Sequence, residues 1–265
     1  MDETAYAKIN LALHVRRRRE EGYHAIETLF AFVDTGDELS IETAPRDELH
    51  ITGEFADALT DPFGNIVAQA LGKLPRPEGW RVSLDKRLPV AAGLGGGSAD
   101  AGAVFRMYDQ RYGLPENWHE RAAKLGADVP ACVESRTCIG RGTGAELEPG
   151  PQDLTGTPVL LVNPRVPLAT GAVFTRWDGI DRGALPTGTA RQIALAGRND
   201  LEAPALALCP AIGDVLAALR DTDAWLVRMS GSGATCFALF DSLEGRDTAA
   251  RAMNPAWWRM SAPLR

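Results

Sequence analysis

Between residues 90 and 102 the chain reads VAAGLGGGSADAG, and four of the five residues from Gly93 to Gly97 are glycine. Glycine lets another group come close to the backbone N–H, because no Cβ stands in the way. At the start of a helix those N–H groups lack an intrahelical partner and carry about half a positive charge. Here a strand-like run, Pro89, the glycines, Ser98 and a helical run follow in order. That order suits an anion site, most often one for phosphate. The same residues also suit a tight turn with Ser98 as helix N-cap. No Lys-Ser/Thr follows the glycines, so this is not a GxxxxGKS/T loop. A GxGxxG dinucleotide loop needs a different third position and an acid at a later strand end. Asp109 and Glu116 instead fall in or beside helical stretches.

Two further places hold residue types that handle protons and charge. Asp128, in LGADVPAC (125–132), stands before Val129-Pro130, where a helix N-cap would stand. Lys8 and Asn10 lie in TAYAKINLALHV (4–15). There Ala5, Ala7, Ile9, Leu11, Leu13 and Val15 point one way, and Tyr6, Lys8, Asn10 and His14 the other. Read from period alone, the second set is the solvated face of a half-buried edge strand. Metal chemistry has little to draw on. Cys132, Cys138, Cys209 and Cys236 form no CxxC pair, and the four histidines show no zinc-like spacing.

These residues need elements to position them. The first strand should be followed by a solvated basic tip from Arg16 to Arg19, with Glu20 and Glu21 after it, and then by the apolar strand HAIETLFAFVD. DELSIETA and ELHITG read as two more strands, short and antiparallel. GNIVAQALGKL (64–74) reads as a helix, and WRVSLDKRLP (80–89) as a strand. A helix is expected from about Ser98 to Tyr112, stopped by Gly113 and Pro115, and another over about 116–125 before Gly126. PGPQDLTGTP (149–158) reads as a boundary. Beyond it come the buried-type strand PVLLVNP, GAVFTRW, several Ala/Leu-rich helices, and AWLVRMSGSGATCFALF, two strands around a second glycine turn. Strands come in groups rather than in strict βαβ alternation, so the class is α+β in two halves.

Bulk properties narrow the partners. With 265 residues the chain can form one large domain or two ordinary ones. A net charge of -7 argues against a broad nucleic-acid or membrane surface. The N-terminus starts acidic with no apolar signal core, and no stretch reaches the roughly 18 apolar residues of a membrane span. A soluble cytoplasmic protein with free thiols is expected, a monomer or weak homodimer.

PVAAGLGGGSADAG resembles the phosphate loop of the GHMP kinases, the superfamily of galactokinase, homoserine kinase and mevalonate kinase. AKINLALHV followed by EGYHAIETLF, LGADVPAC and MSGSGATCFALF resemble, in the same order, the motifs of its branch that serves non-mevalonate isoprenoid precursor biosynthesis. The resemblance implies an N-terminal ribosomal-S5-like domain over 1–155 and a C-terminal α/β-sandwich domain over 156–265, with the active site in the cleft between them. It implies an ATP-dependent kinase that phosphorylates the 2-hydroxyl of cytidine diphospho-methylerythritol. Asp128 would accept or orient the hydroxyl proton, and Lys8 would stabilise the developing alkoxide.

The same resemblance assigns the nucleotide and substrate residues. Pro89, Val90, Ala91, Ala92, Gly93 and Leu94 would cradle the ATP phosphates together with Gly95, Gly96, Gly97, Ser98 and Ala99. Asn65 and Lys86 would lie near the ATP base. Asn10 would fix the substrate. Tyr23 and His24 would clamp the cytosine, with Phe174 as second stacking face and Thr170 nearby. Gly231 and Gly233 would let the second glycine loop lie along the diphosphate. Magnesium is implied by ATP, with Ser98 as one candidate ligand and the rest open. Gly102 stands where the resemblance has alanine, a local helix cost of about 1 kcal/mol. Rival readings are a GHMP kinase for homoserine, mevalonate or a sugar, and a non-catalytic nucleotide-binding protein. The Tyr23-His24 pair argues against the first and the Lys8/Asp128 pair against the second.

Overall fold

In the computed structural model, which describes residues 1–20, 22–59, 61 and 64–265, the alternating N-terminal run forms strand β1 (Asp2–Arg18). It pairs antiparallel with a 21-residue strand, β2 (His24–Ala44). DELSIETA is thus the second half of β2 rather than a strand of its own. β3 (Glu48–Thr52) pairs parallel with β4 (Gly79–Asp85), not antiparallel with its predecessor, and α1 (Ile66–Lys73) lies between them in sequence. Helices α2 (Gly96–Tyr112), α3 (Trp118–Ala123) and α4 (Val129–Glu134) follow, then β5 (Cys138–Arg141) and β6 (Glu146–Pro149). The strand order is β3-β4-β2-β5-β6, with β1 beside β2.

A second sheet, ordered β10-β7-β9-β8, is antiparallel throughout. Its first strand, β7 (Pro158–Asn163), is followed by α5 (Thr170–Thr175), α6 (Ala190–Ala196), α7 (Glu202–Leu208) and α8 (Ala211–Arg220). β8 (Leu226–Met229), β9 (Cys236–Leu239), α9 (Leu243–Ala252) and β10 (Trp258–Pro263) complete it. Pro at the boundary stretch ends the first sheet, and the class is α+β as the grouped strands imply.

Period-2 alternation sorts the apolar residues into layers. Phe30 and Phe32 face α1, α2 and α4. Leu29, Ala31 and Val33, one residue out of phase, pack with Ile9, Leu11, Val159 and Leu161 between the two sheets. Leu160 and Val162 face Ile212, Val215 and Leu216 of α8 on the far side. The order is therefore helices, sheet, sheet, helices.

This layering corrects the reading of β1. It is an edge strand, but every residue from Ala7 to Val15 is buried, including Lys8, Asn10 and His14. The face that carries the polar residues is covered rather than solvated. The basic tip is also less free than expected. Arg16 pairs with Glu27 and Asp181, and Arg18 donates to the carbonyls of Thr175 and Trp177. Glu21 lies outside the described residues.

Candidate active site

The glycine run makes a sharp entry into α2. Ala91, Gly93 and Gly95 all have positive φ, at 52°, 78° and 62°. Helix α2 starts at Gly96, not at Ser98, and Gly95 is its N-cap. Ser98 is thus in the first turn and caps nothing. The first-turn N–H groups of Gly96, Gly97 and Ser98 point out of the helix start with no carbonyl four residues back inside it. Gly93 is glycine because a Cβ there would lie 2.2 Å from the Ser230 carbonyl oxygen. The β8–β9 turn rests on the loop at this point: Ser230 Oγ donates to the Gly93 carbonyl at 2.8 Å, and Thr235 N to Ala92 at 3.1 Å.

A cavity of about 960 Å³ opens beside the loop. Pro89, Val90, Ala91, Ala92, Gly93, Gly95, Gly96, Gly97 and Ser98 line it. Leu94 and Ala99 do not. Their side chains are buried in the two cores on either side, and Leu94 contributes its carbonyl, which accepts from Lys8 N at 2.9 Å. Apolar side chains leave a polar groove for the core, so only the backbone of these two belongs to the loop.

Lys8 and Asp128 meet under the loop. Lys8 Nζ is 3.0 Å from Asp128 Oδ2, and a Cβ on Gly95 would lie 3.0 Å from Lys8 Cε. Lys8 is only 4% exposed, so its stem is fixed by packing. Asp128 occupies the N-cap position of α4, yet its side chain caps no backbone N–H. The carboxylate is spent on Lys8 and on the cavity instead. Asn10 lines the cavity, and its side chain also makes two internal bonds: Oδ1 accepts from Lys8 Nζ at 2.9 Å, and Nδ2 donates to Thr28 Oγ1 at 2.8 Å. The amide keeps a second lone pair and a second N–H, so Asn10 supports Lys8 and still faces the cavity.

Lys86 lines the same cavity. Its ammonium is buried between Asp37 and Asp100, 2.6 Å from each, under the glycine loop, and Asp100 lines the cavity too. Asp37 Oδ1 accepts from the N–H groups of Arg87 and Leu88. Asp100 Oδ1, in the second turn of α2, is buried with no partner. Burial pushes the Asp100 carboxyl up to about 8, with the Asp37 charge adding and Lys86 opposing. Lys86 itself is raised, because the two carboxylates outweigh its burial. This buried triad anchors the loop from below. Asp37 and Asp100 were not singled out from sequence; Asp100 sits inside the quoted motif, but nothing local marks it as buried.

Asn65 N-caps α1 by accepting from Val67 N at 2.8 Å and lines the cavity. At the other end, Tyr23 is 68% exposed at the rim. The His24 ring is 5.0 Å from that of Phe174 and 5.7 Å from that of Trp177. Burial, then the nearby Arg18 charge, lowers the His24 pKa, and its Nε2 is buried without a partner. Thr170 Oγ1 lies 3.0 Å from Ser232 Oγ, and both line the cavity with Phe174 and Gly231. Gly233 does not. A Cβ there would meet Met229, Ile212 and Leu168, so Gly233 turns its back on the cavity. Trp177, Thr28 and Ser232 are additions that no sequence signal marked.

No group of three or more His, Cys, Asp or Glu that could hold a metal forms among the described residues. Magnesium needs only one or two protein oxygens when phosphates and waters complete its shell. Ser98 and Asp128 both line the cavity, which fits that sparse donor set. No helix is long and apolar enough to cross a membrane among the described residues.

Comparison with known proteins agrees with this geometry. Residues 63–136 match the family model "GHMP kinases N terminal domain" and residues 184–259 match "GHMP kinases C terminal". The chain is 72% identical over 263 residues to a protein of Novosphingobium aromaticivorans named 4-diphosphocytidyl-2-C-methyl-D-erythritol kinase, covering 99% of this chain and 92% of the relative. A protein of the same name from Sphingopyxis alaskensis is 53% identical over 280 residues, covering 100% and 99%. A crystal structure of 4-(cytidine 5'-diphospho)-2C-methyl-D-erythritol kinase superposes with a TM-score of 0.85 at 33% identity, covering 100% of this chain and 99% of the other. Homoserine kinase from Cytophaga hutchinsonii shares the fold at a TM-score of 0.70 and 18% identity, over 98% and 95% of the two chains.

Proposed function

The chain belongs to the 4-diphosphocytidyl-2-C-methyl-D-erythritol kinases of the GHMP kinase family, and from that premise we propose how its residues divide the work. The reaction moves the γ-phosphoryl group of ATP to the 2-hydroxyl of 4-diphosphocytidyl-2-C-methyl-D-erythritol, a step toward isoprenoid precursors. A new P–O bond forms at the hydroxyl, the γ-to-β bridging P–O bond breaks, and ADP leaves. The observation that carries the reading is the Lys8–Asp128 pair at 3.0 Å, placed where the N-terminus of α2 opens into the cavity.

Phosphoryl transfer asks little covalent chemistry of a protein and much positioning and charge stabilisation. The first-turn N–H groups of α2 hold phosphate oxygens. Asp128 takes or orients the hydroxyl proton, and Lys8 stabilises charge that develops on that oxygen. Asn65 stands on the nucleotide side. His24, with its unpartnered Nε2, reads the cytosine edge, while Tyr23 and Phe174 supply ring faces. Magnesium, with Ser98 beside the loop as one residue that would hold it, would neutralise phosphate charge. The two halves meet at this cavity, and a division at 155/156 is supported by where the first sheet ends and the second begins. We place the enzyme in the cytoplasm, where a reducing environment suits four free, buried thiols.

The test is phosphorus NMR of the protein with Mg-ATP and the cytidine substrate, with homoserine and mevalonate in parallel. A new phosphomonoester signal with the cytidine compound alone is the expected result. A signal with either control alone would overturn the base-reading roles of Tyr23, His24 and Phe174.

A further inference from the structure

Lys8, the glycine loop and Asp128 sit on three separate elements: β1, the start of α2 and the residue before α4. Those elements meet a second time, away from the cavity, at Arg106 of α2. Its part-buried guanidinium donates in three directions. Nη1 reaches the Cys132 carbonyl at 2.5 Å and Ser135 Oγ at 2.9 Å, at the end of α4. Nη2 reaches the Thr4 carbonyl at 2.6 Å, and Nε reaches Glu3 Oε1 at 3.1 Å, both on β1. One turn nearer the cavity, Gly102 makes the approach between the helices possible. A Cβ there would lie 2.6 Å from the carbonyl carbon and oxygen of Cys132. Residues four apart share a helix face, so Gly102 and Arg106 press one strip of α2 against α4.

The links onward each run within one element, with a β-bulge between Tyr6 and Lys8 on the strand side. Cys132 N donates to the Asp128 carbonyl at 3.0 Å, a single helical turn of about 6 Å. Thr4 lies four strand residues before Lys8, about 13 Å away. A planar guanidinium serves divergent acceptors at once, which a lysine ammonium or an apolar side chain cannot do in the same geometry. Arg106 is not among the residues that line the cavity.

We propose that Arg106, seated against Gly102, is a positioning residue for phosphoryl transfer: by tying α4 to β1 across α2 it sets the Lys8–Asp128 separation at the reacting hydroxyl. This rests on the roles given above to Lys8 and Asp128. Misplacement of a catalytic group by about 1 Å costs up to about 100-fold in rate.

The experiment is steady-state kinetics on the full chain for Arg106→Met, Arg106→Lys and Gly102→Ala, with Tm measured for each. Arg106→Met is also combined with Asp128→Asn. Assayed well below its Tm, Arg106→Met is expected to lose about 10- to 100-fold in kcat while both KM values stay within about threefold. Arg106→Lys should recover part of the loss. In the Asp128→Asn background the Arg106 change should cost nothing further, because it acts through Asp128. A folded Arg106→Met with unchanged kcat overturns the proposal, and so does a full loss added on top of Asp128→Asn. If Arg106→Met does not fold, Arg106→Lys and Gly102→Ala decide: a lowered Tm with unchanged kcat overturns it, a lowered kcat at unchanged KM supports it. Near-normal kcat in Asp128→Asn alone overturns the site reading itself, and the route through Asp128 with it.

Discussion

Asp128 stands where an aspartate ordinarily caps a helix, and its side chain reaches Lys8 instead. Asp128→Asn keeps the shape and removes the proton acceptor. It should lower kcat by about 100-fold or more, the range for losing a general base, while the KM for ATP stays nearly unchanged. A steady-state assay in both substrates checks this. Tyr23 is exposed at the rim, so removing its ring costs little stability. Tyr23→Ala should raise the KM for the cytidine substrate about tenfold, in line with the worth of one stacked base, and leave the ATP KM alone. Equal effects on the two substrates would put Tyr23 outside the base pocket. Lys86 is the opposite case: 2% exposed, between two carboxylates. Lys86→Met leaves buried carboxylate charge uncompensated and should cost about 3–5 kcal/mol in urea unfolding. The lysine was legible as a residue near the loop. Its burial was not, because the two acids that surround it are 49 and 14 residues away in sequence.

At the scale of elements, the glycine loop and the β8–β9 turn form one unit. Gly93 has φ of 78° and no room for a Cβ, since Ser230 stands against it. Gly93→Ala should therefore destabilise by about 2 kcal/mol or more and weaken ATP binding together, read by thermal melting and by titration with ATP. An alanine tolerated on both counts would mean that the two loops are not packed as a unit. The motif itself was plain from composition, since so dense a glycine run has few other uses. Where the helix begins was less plain: Ser98 is a favoured N-cap type, but the turn is completed at Gly95, whose left-handed backbone glycine alone adopts easily. Gly102 looked like a local defect of helix propensity. It is the contact that lets α2 lie against α4, and no rule of helix propensity carries that information.

For the whole molecule, pH should act through the histidines that the fold has buried. His14 is fully buried on β1. Its Nδ1 lies 3.1 Å from the Gly183 carbonyl and its Nε2 accepts from Arg198 N, so the neutral ring joins the first sheet to the 183–198 segment. Burial, then the Arg198 charge, lowers its pKa below 6.5, and His24 is lowered too. The unfolded chain then takes up protons first as pH falls. The contribution of the two histidines to stability should be level above about pH 6.5 and decline below it, while the Asp100 carboxyl, raised to about 8, acts in the opposite sense as pH falls. Tm of His14→Gln measured beside the wild type from pH 8 to 5 checks the sign: the wild type should lose stability relative to the variant below about pH 6.5. A wild type that gains Tm relative to His14→Gln on acidification would be inconsistent with a neutral buried His14. Periodicity and turn chemistry were enough to determine the α+β class and most element positions, and to mark the glycine loop as a candidate anion site, because these are properties of neighbours along the chain. The resemblance of four motifs carried the kinase reading. Only the tertiary structure decided that both faces of β1 are covered, that Lys86 is held between two acids and Asn10 between Lys8 and Thr28, that Gly233 faces away, and that Arg106 joins three elements. Each of those depends on groups far apart in sequence, brought together when two sheets and two layers of helices pack and exclude water.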